Sequence, residues 1–195
     1  MRRAFLWGMN IVIRRAEPHD VPRMLELVKE LALFERAPEE VTVTLEHMRE
    51  AGFGPDPVWT GWVAEKRSDG RTVSGSAEQT MRGSDHAGTA RSADRIVGMA
   101  VCYVRYSTWK GRRLYLEDII VTEAARGKGI GEKLFRACAA FALEQGHDGM
   151  TWQVLDWNTD AIRFYERLGT AFSGEWLNGS LSRDQIKLLA EGPAT

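Results

Sequence analysis

The chain has 195 residues, 44% of them hydrophobic and 27% charged, a length and balance that suit one globular domain with a real core. A net charge of -1 offers no strong field to nucleic acid or to an anionic membrane, so neither is expected as a partner. No apolar run approaches the length that spans a bilayer.

Residues 1–9 carry Arg2 and Arg3 before a short apolar stretch, Ala4 to Trp7, too short for a signal-peptide core. They are expected to be a disordered extension, with Met9 a candidate natural start and one domain over 10–192. Ile11, Val12 and Ile13 open a β-branched run, the first predicted strand. His19-Asp20-Val21-Pro22 reads as a helix start, with Asp20 as cap and Pro22 in the first turn. Val21, Met24, Leu25, Val28, Leu31 and Ala32 recur at helical spacing, and the helix should end near Glu35. Thr44 can cap a short helix through Met48 to Ala51, stopped by Gly52-Phe53-Gly54-Pro55. Val58 to Glu65 reads as a strand.

Lys66 to Arg95 is rich in Gly, Ser, Thr, Arg and Asp and has no aromatic residue. It cannot bury enough apolar surface to offset its ordering entropy, so a mobile loop insertion is expected at about 66–95. Two strand candidates follow, Ile96 to Tyr106 and Leu114 to Val121, with Trp109-Lys110-Gly111 at the turn between them. Ile130, Leu134, Ala137, Cys138, Phe141 and Ala142 share one face of a helix that Gly146 closes. Met150 to Leu155 reads as a strand, and Asn158 caps a helix that Gly169 ends. Ala171-Phe172 and Trp176 to Leu181 suggest two short last strands, and Ser182 to Gln185 forms a capping box. Strands interleaved with helices give an α/β or α+β class. Cys102 and Cys138 sit in apolar runs and read as buried small hydrophobes, a usage that fits a reducing, cytoplasmic setting. His19, His47, His86 and His147 are scattered, and no metal site is expected.

The strongest local motif is Arg126-Gly127-Lys128-Gly129-Ile130-Gly131, between a predicted strand and a predicted helix. Its glycines let the backbone approach a bulky anion, and the first amides of the helix point outward where the helix dipole favours negative charge. Arg126 and Lys128 add positive charge, so the expected ligand is a phosphate or pyrophosphate group. No Gly-Lys-Ser/Thr follows at P-loop spacing, and the G-x-G-x-x-G fingerprint is absent.

The order of strand, glycine loop, helix, strand, Asn158, helix and Tyr165 resembles the GNAT superfamily of acyl-CoA N-acetyltransferases, whose Arg-x-x-Gly-x-Gly signature is met by Arg126, Gly129 and Gly131. Leu114-Tyr115-Leu116-Glu117-Asp118, the glycine loop, and Asn158 through Gly169 are similar to the spermidine/spermine and thialysine N-acetyltransferase family. The resemblance implies a mixed, mostly antiparallel sheet flanked by helices, with an acetyl-CoA cleft where two strands splay. It implies acetyl-CoA as co-substrate, direct transfer to a small primary amine in a ternary complex, and a homodimer. The cofactor side of such a site would use Ile119, Ile120 and Val121, the loop from Arg126 to Gly131, Asn158 and Tyr165.

Acetyl transfer requires a neutral amine, and a free alkylammonium has a pKa of about 10.4. Glu117 is the candidate general base, acting through water; strand alternation would put it and Asp118 on opposite faces. Backbone N–H groups near Ile120 and Val121 could steady the oxyanion formed on the thioester carbonyl. By resemblance Tyr165 is the acid that protonates the departing thiolate. Glu35, Trp109, Glu117, Asp118 and Trp176 could line the amine pocket, carboxylates and aromatic faces being what a cationic chain calls for. Ser107 and Phe34 stand where the polyamine enzymes carry an aspartate and a tyrosine, which favours an amine bearing its own carboxylate over a long polycation. The competing readings are a protein lysine or N-terminal acetyltransferase and a non-catalytic acyl-CoA sensor.

Overall fold

The structure, a computed structural model, describes residues 10–67, 95–175 and 178–191. The expected extension at 1–9, nearly all of the loop between 66 and 95, and Trp176 lie outside the described residues. The chain falls into two compact units, Met1–Gln153 and Val154–Thr195.

The first unit holds five strands: β1 Ile11–Arg15, β2 Thr60–Lys66, β3 Ile96–Ser107, β4 Gly111–Val121 and β5 Met150–Thr151. They form one sheet in the order β1-β2-β3-β4-β5. The first four run antiparallel to their neighbours, and β5 joins β4 in parallel. Helices α1 Val21–Phe34 and α2 Leu45–Phe53 pack on one face, and α3 Ile130–Glu144 on the other. This is the mixed, mostly antiparallel sheet with flanking helices that the family resemblance implies.

Two cores hold it. Under α3, Leu134, Cys138 and Ala142 meet Trp62, Ala64, Ala100, Leu114 and Leu116. Under α1 and α2, Met24, Leu27 and Met48 meet Val63, Met99, Val101 and Ile120. Each large side chain fully removed from water contributes about 2 kcal/mol. Both cysteines are buried and free, as expected of small hydrophobes.

Asp20 does not cap α1 as the sequence suggests; its side chain makes no cap bond to that helix. Its carboxylate instead accepts two bonds from Arg14, at 2.6 and 2.9 Å, and one from the Glu17 N–H at 2.8 Å. Burial raises the cost of its charge, yet Arg14 and the Glu17 amide hold its pKa below the usual carboxylate value. Arg14 also donates to Glu65 at 2.8 Å, tying β1 to β2 beneath the start of α1. Thr44 does cap α2, accepting from the His47 N–H at 3.1 Å.

Met150 to Leu155 is not one strand. Pairing stops at Thr151, and residues 152–155 carry no ladder. In the second unit Asn158 caps α4, Thr159–Arg167, by accepting from the Ala161 N–H at 3.2 Å. The expected capping box starts α5, Arg183–Glu191: Ser182 N–H donates to Gln185 and Gln185 N–H to the Ser182 hydroxyl. The two last strands do not form among the described residues, since 171–175 and 178–181 are irregular. Among the described residues neither stretch pairs with a strand.

Candidate active site

The glycine loop links β4 to α3. After Val121 a short 3-10 turn, Glu123–Ala125, leads into Arg126. Gly127 and Gly129 then adopt φ of 73° and 72°, a region that side-chain-bearing residues avoid. A Cβ at either position would meet nothing within 4 Å, so the loop faces open space. Gly129 is the N-cap of α3, and the first amides of that helix have no acceptor within it. The two cations brace this turn: Arg126 Nε donates to the Val121 carbonyl at 3.0 Å, and Lys128 Nζ to the Ala124 carbonyl at 3.2 Å. The Arg126 guanidinium also lies 5.4 Å from the Phe34 ring centre, at the end of α1.

Ile119, Ile120 and Val121 form the last turnless stretch before that loop. β4 pairs with β5 only through Leu114 with Met150 and Tyr115 with Thr151. Among the described residues no strand covers that edge of β4 beyond Tyr115. Alternate backbone amides of such an edge point outward as unused donors.

Glu117 and Asp118 do not sit on opposite faces. Val101 pairs with Asp118 while Cys102 pairs with Leu116, so Glu117 is an extra residue, a β-bulge in β4. Burial shows the consequence. Leu114 and Leu116 pack toward α3 before the bulge, and Ile119 and Val121 do so after it, while Ile120 packs toward α1 and α2. The two residues between must both turn to the α1 side. Asp118 is largely buried there, and its carboxyl is pushed up to about 6, first by burial and then by the charges of Glu117 and Glu35. Glu117 itself is exposed. Glu35 caps the C-terminus of α1, and partial desolvation raises its carboxyl too. The structure therefore brings three predicted residues, Glu35, Glu117 and Asp118, to one patch.

Two tyrosines that the sequence reading passed over adjoin it. Tyr103 and Tyr115 are cross-strand partners with ring centres 5.0 Å apart. Desolvation raises both phenols, and the Glu117 charge raises them further. Tyr115 donates to Gln153 Oε1 at 3.0 Å. Arg105, two residues beyond Tyr103 on β3, sets its guanidinium carbon 5.8 Å from the Tyr115 ring centre. The alternating Tyr103, Arg105 and Ser107 was the signal available for this face.

Ser107 is committed to the hairpin turn, where its hydroxyl accepts from the N–H groups of Trp109 and Lys110. Trp109 lies at the tip and is 86% exposed, so it packs into no core among the described residues. In the second unit Tyr165 is 5% exposed, against Phe164 and Phe172. A cavity of about 390 Å³ opens at the start of β2, lined by Arg15, Phe53, Trp59, Tyr103, Leu114 and Phe141 among others. Of the predicted site residues none lines it. No described helix is long and apolar enough to cross a membrane, and no described cluster of three or more His, Cys, Asp or Glu could hold a metal ion.

Comparison with known proteins gives the family and the fold. A profile of the acetyltransferase (GNAT) family matches residues 42–170. The thialysine N-epsilon-acetyltransferase of Bos taurus is 36% identical over 159 residues, 82% of this chain and 83% of that one. Spermidine/spermine N(1)-acetyltransferase-like protein 1 of Homo sapiens is 32% identical over 157 residues, 80% of this chain but 20% of that longer protein. Among solved structures, an integron cassette protein from the mobile metagenome of V. cholerae superposes with a TM-score of 0.66 at 18% identity. That match covers 95% of this chain and 100% of the other, and it speaks to the fold.

Proposed function

The chain belongs to the acetyltransferase (GNAT) family, and from that premise we propose that it transfers the acetyl group of acetyl-CoA to the primary amine of a small molecule, directly and without a covalent enzyme intermediate. One observation carries the reading: an open, positive-φ glycine turn at the N-terminus of α3, directly after an unpaired β4 edge. Such a turn suits a diphosphate, and such an edge suits the amide groups and thioester that follow it in coenzyme A. When bound, acetyl-CoA supplies the activated acyl group.

The chain's own residues do the rest. Gly127, Gly129 and the first amides of α3 hold the diphosphate, while Arg126 and Lys128 fix the turn. Outward amides along Ile119, Ile120 and Val121 steady negative charge on the carbonyl oxygen. Glu117, exposed on its bulge, takes the amine's proton through water. Asp118 and Glu35 attract the ammonium before it is deprotonated. Tyr165 returns a proton to the departing thiolate, and Asn158 orients the helix that carries it. The relatives act on thialysine or carry spermidine/spermine in their names, which supports a small amine as acceptor. A homodimer in a reducing cytoplasm remains part of the proposal, on the family resemblance and the free cysteines.

The test is incubation with acetyl-CoA and a panel of primary amines, followed by mass measurement of products. Acetylation of at least one small amine is expected. Products only on protein lysines or N-termini would replace this reading with the protein-acetylating one. No product, together with intact coenzyme A binding by calorimetry, would leave a sensor.

A further inference from the structure

The α1-facing side of β3 and β4 is a strip graded in charge. At its inner end stand Glu117 and Asp118, with Glu35 close enough to raise Asp118. Its floor is the Tyr103–Tyr115 pair. At its outer end stands Arg105, which follows Val101 and Tyr103 on the same strand at even spacing. Arg105 and Glu117 lie two positions to either side of the tyrosine pair on adjacent strands, so their backbones are about 14 Å apart at about 3.3 Å per residue along the sheet and about 4.8 Å across it. The Arg105 side chain folds back over the Tyr115 ring, toward Glu117.

Arg105 has no carboxylate within ion-pair distance among the described residues. Its cross-strand neighbour Arg113 is committed elsewhere, donating to the Met150 carbonyl at 3.1 Å and packing against Gly149. A guanidinium held on an aromatic face with its donor edge open is a planar receptor for a carboxylate. Its charge repels the far ammonium of a diamine.

We propose that Arg105 is a specificity-determining residue that pairs with the carboxylate of an amino-acid substrate while the amine at the opposite end of that substrate meets Glu117. The inference rests on the acetyl-transfer reading above and adds which acceptors the site prefers and why. The apolar part of such a molecule lies across the two tyrosine rings, and its two ends match the two signs of charge.

Three probes separate the terms: thialysine, ε-aminocaproate, which keeps a carboxylate and a terminal amine but no α-amine, and cadaverine, which keeps the terminal amine and has no carboxylate. In the unaltered enzyme kcat/KM should favour both carboxylate-bearing probes over cadaverine by about tenfold or more, the usual worth of a charge-assisted hydrogen bond. Arg105→Gln should cut the thialysine-to-cadaverine ratio by about tenfold, chiefly through KM, and Arg105→Glu should invert it. A ratio near one in the unaltered enzyme, or a ratio that neither folded variant moves, overturns the inference while leaving acetyl transfer standing. Acetylation of none of the three overturns it, and the wider panel of primary amines then decides its premise. The comparison in the unaltered enzyme decides even if a variant fails to fold.

Discussion

The two halves of β4 do opposite jobs within one strand. At Leu114 and Tyr115 it is paired on both edges, side chains alternate through Leu116, and Leu114 is fully buried. From Glu117 onward one edge is uncovered, the register slips by a residue, and two carboxylates share a face. The first half is where the sheet gains stability. The second gives up pairing and charge solvation, and what it gains is an uncovered edge beside an exposed carboxylate. The contrast teaches that the candidate site begins at the point where the ladder stops.

Substitutions can break that contrast from either side. The largest expected effect is in the second half: Glu117→Gln should lower kcat/KM by about 10²- to 10⁴-fold, the range for loss of a general base, and leave thermal stability near its original value because Glu117 is exposed. Steady-state acetylation across pH checks it, and an unchanged rate–pH profile would take the base role from Glu117. Leu114→Ala attacks the first half and should cost about 2–5 kcal/mol in urea unfolding, while kcat of the folded fraction stays close to that of the parent. A matching collapse of kcat would mean the halves are not separable.

Asp118→Asn sharpens the comparison further. The Asp118 carboxyl is held up at about 6, so between the ordinary carboxylate pKa and that value the native state keeps a proton the unfolded chain has released. Stability therefore falls as pH rises through this window, and the cost is complete above it. Removing the charge should add roughly 2–3 kcal/mol at about pH 8 and little at about pH 4. Equal gains at both would show that burial of the charge is not the cause. The smallest effect belongs to the loop beyond: Gly129→Ala, at a φ of 72°, should cost about 1–2 kcal/mol and weaken coenzyme A binding about tenfold. Calorimetry that finds undiminished binding would separate the turn from the cofactor.

What could be read from the residues follows from how local each cause is. The glycine loop was legible because positive φ demands glycine at Gly127 and Gly129 whatever surrounds them. Thr44, Asn158 and the Ser182–Gln185 pair were legible because a cap bonds within three residues. The same rule failed at Asp20, where Arg14 supplied a charged partner that outbid the helix amides. The bulge was hidden altogether. Leu114 to Asp118 reads as ordinary alternation, and only pairing with β3 shows that Glu117 has no opposite number. The early end of β5 was hidden likewise, since Trp152 to Leu155 is apolar enough for a strand and only the pairing with β4, which stops at Thr151, shows where the ladder ends. The Tyr103 and Arg105 wall of the candidate site needed the same long-range register before it could be seen.

The supernumerary Glu117 is an insertion that the strand absorbs without shifting its frame. Excise it and Leu116 runs straight into Asp118, as their partners Cys102 and Val101 already do on β3: Ile119 and Val121 keep their places toward α3, Ile120 keeps its place toward α1, and the entry to the glycine turn is not rotated. Deleting the position would remove one exposed carboxylate and leave both faces as they are, whereas forcing all of Leu114 to Val121 into plain alternation would turn the last third of the strand inside out. The extra carboxylate is thus a graft that the core on either side does not need, and it can be added or removed without rebuilding either cluster.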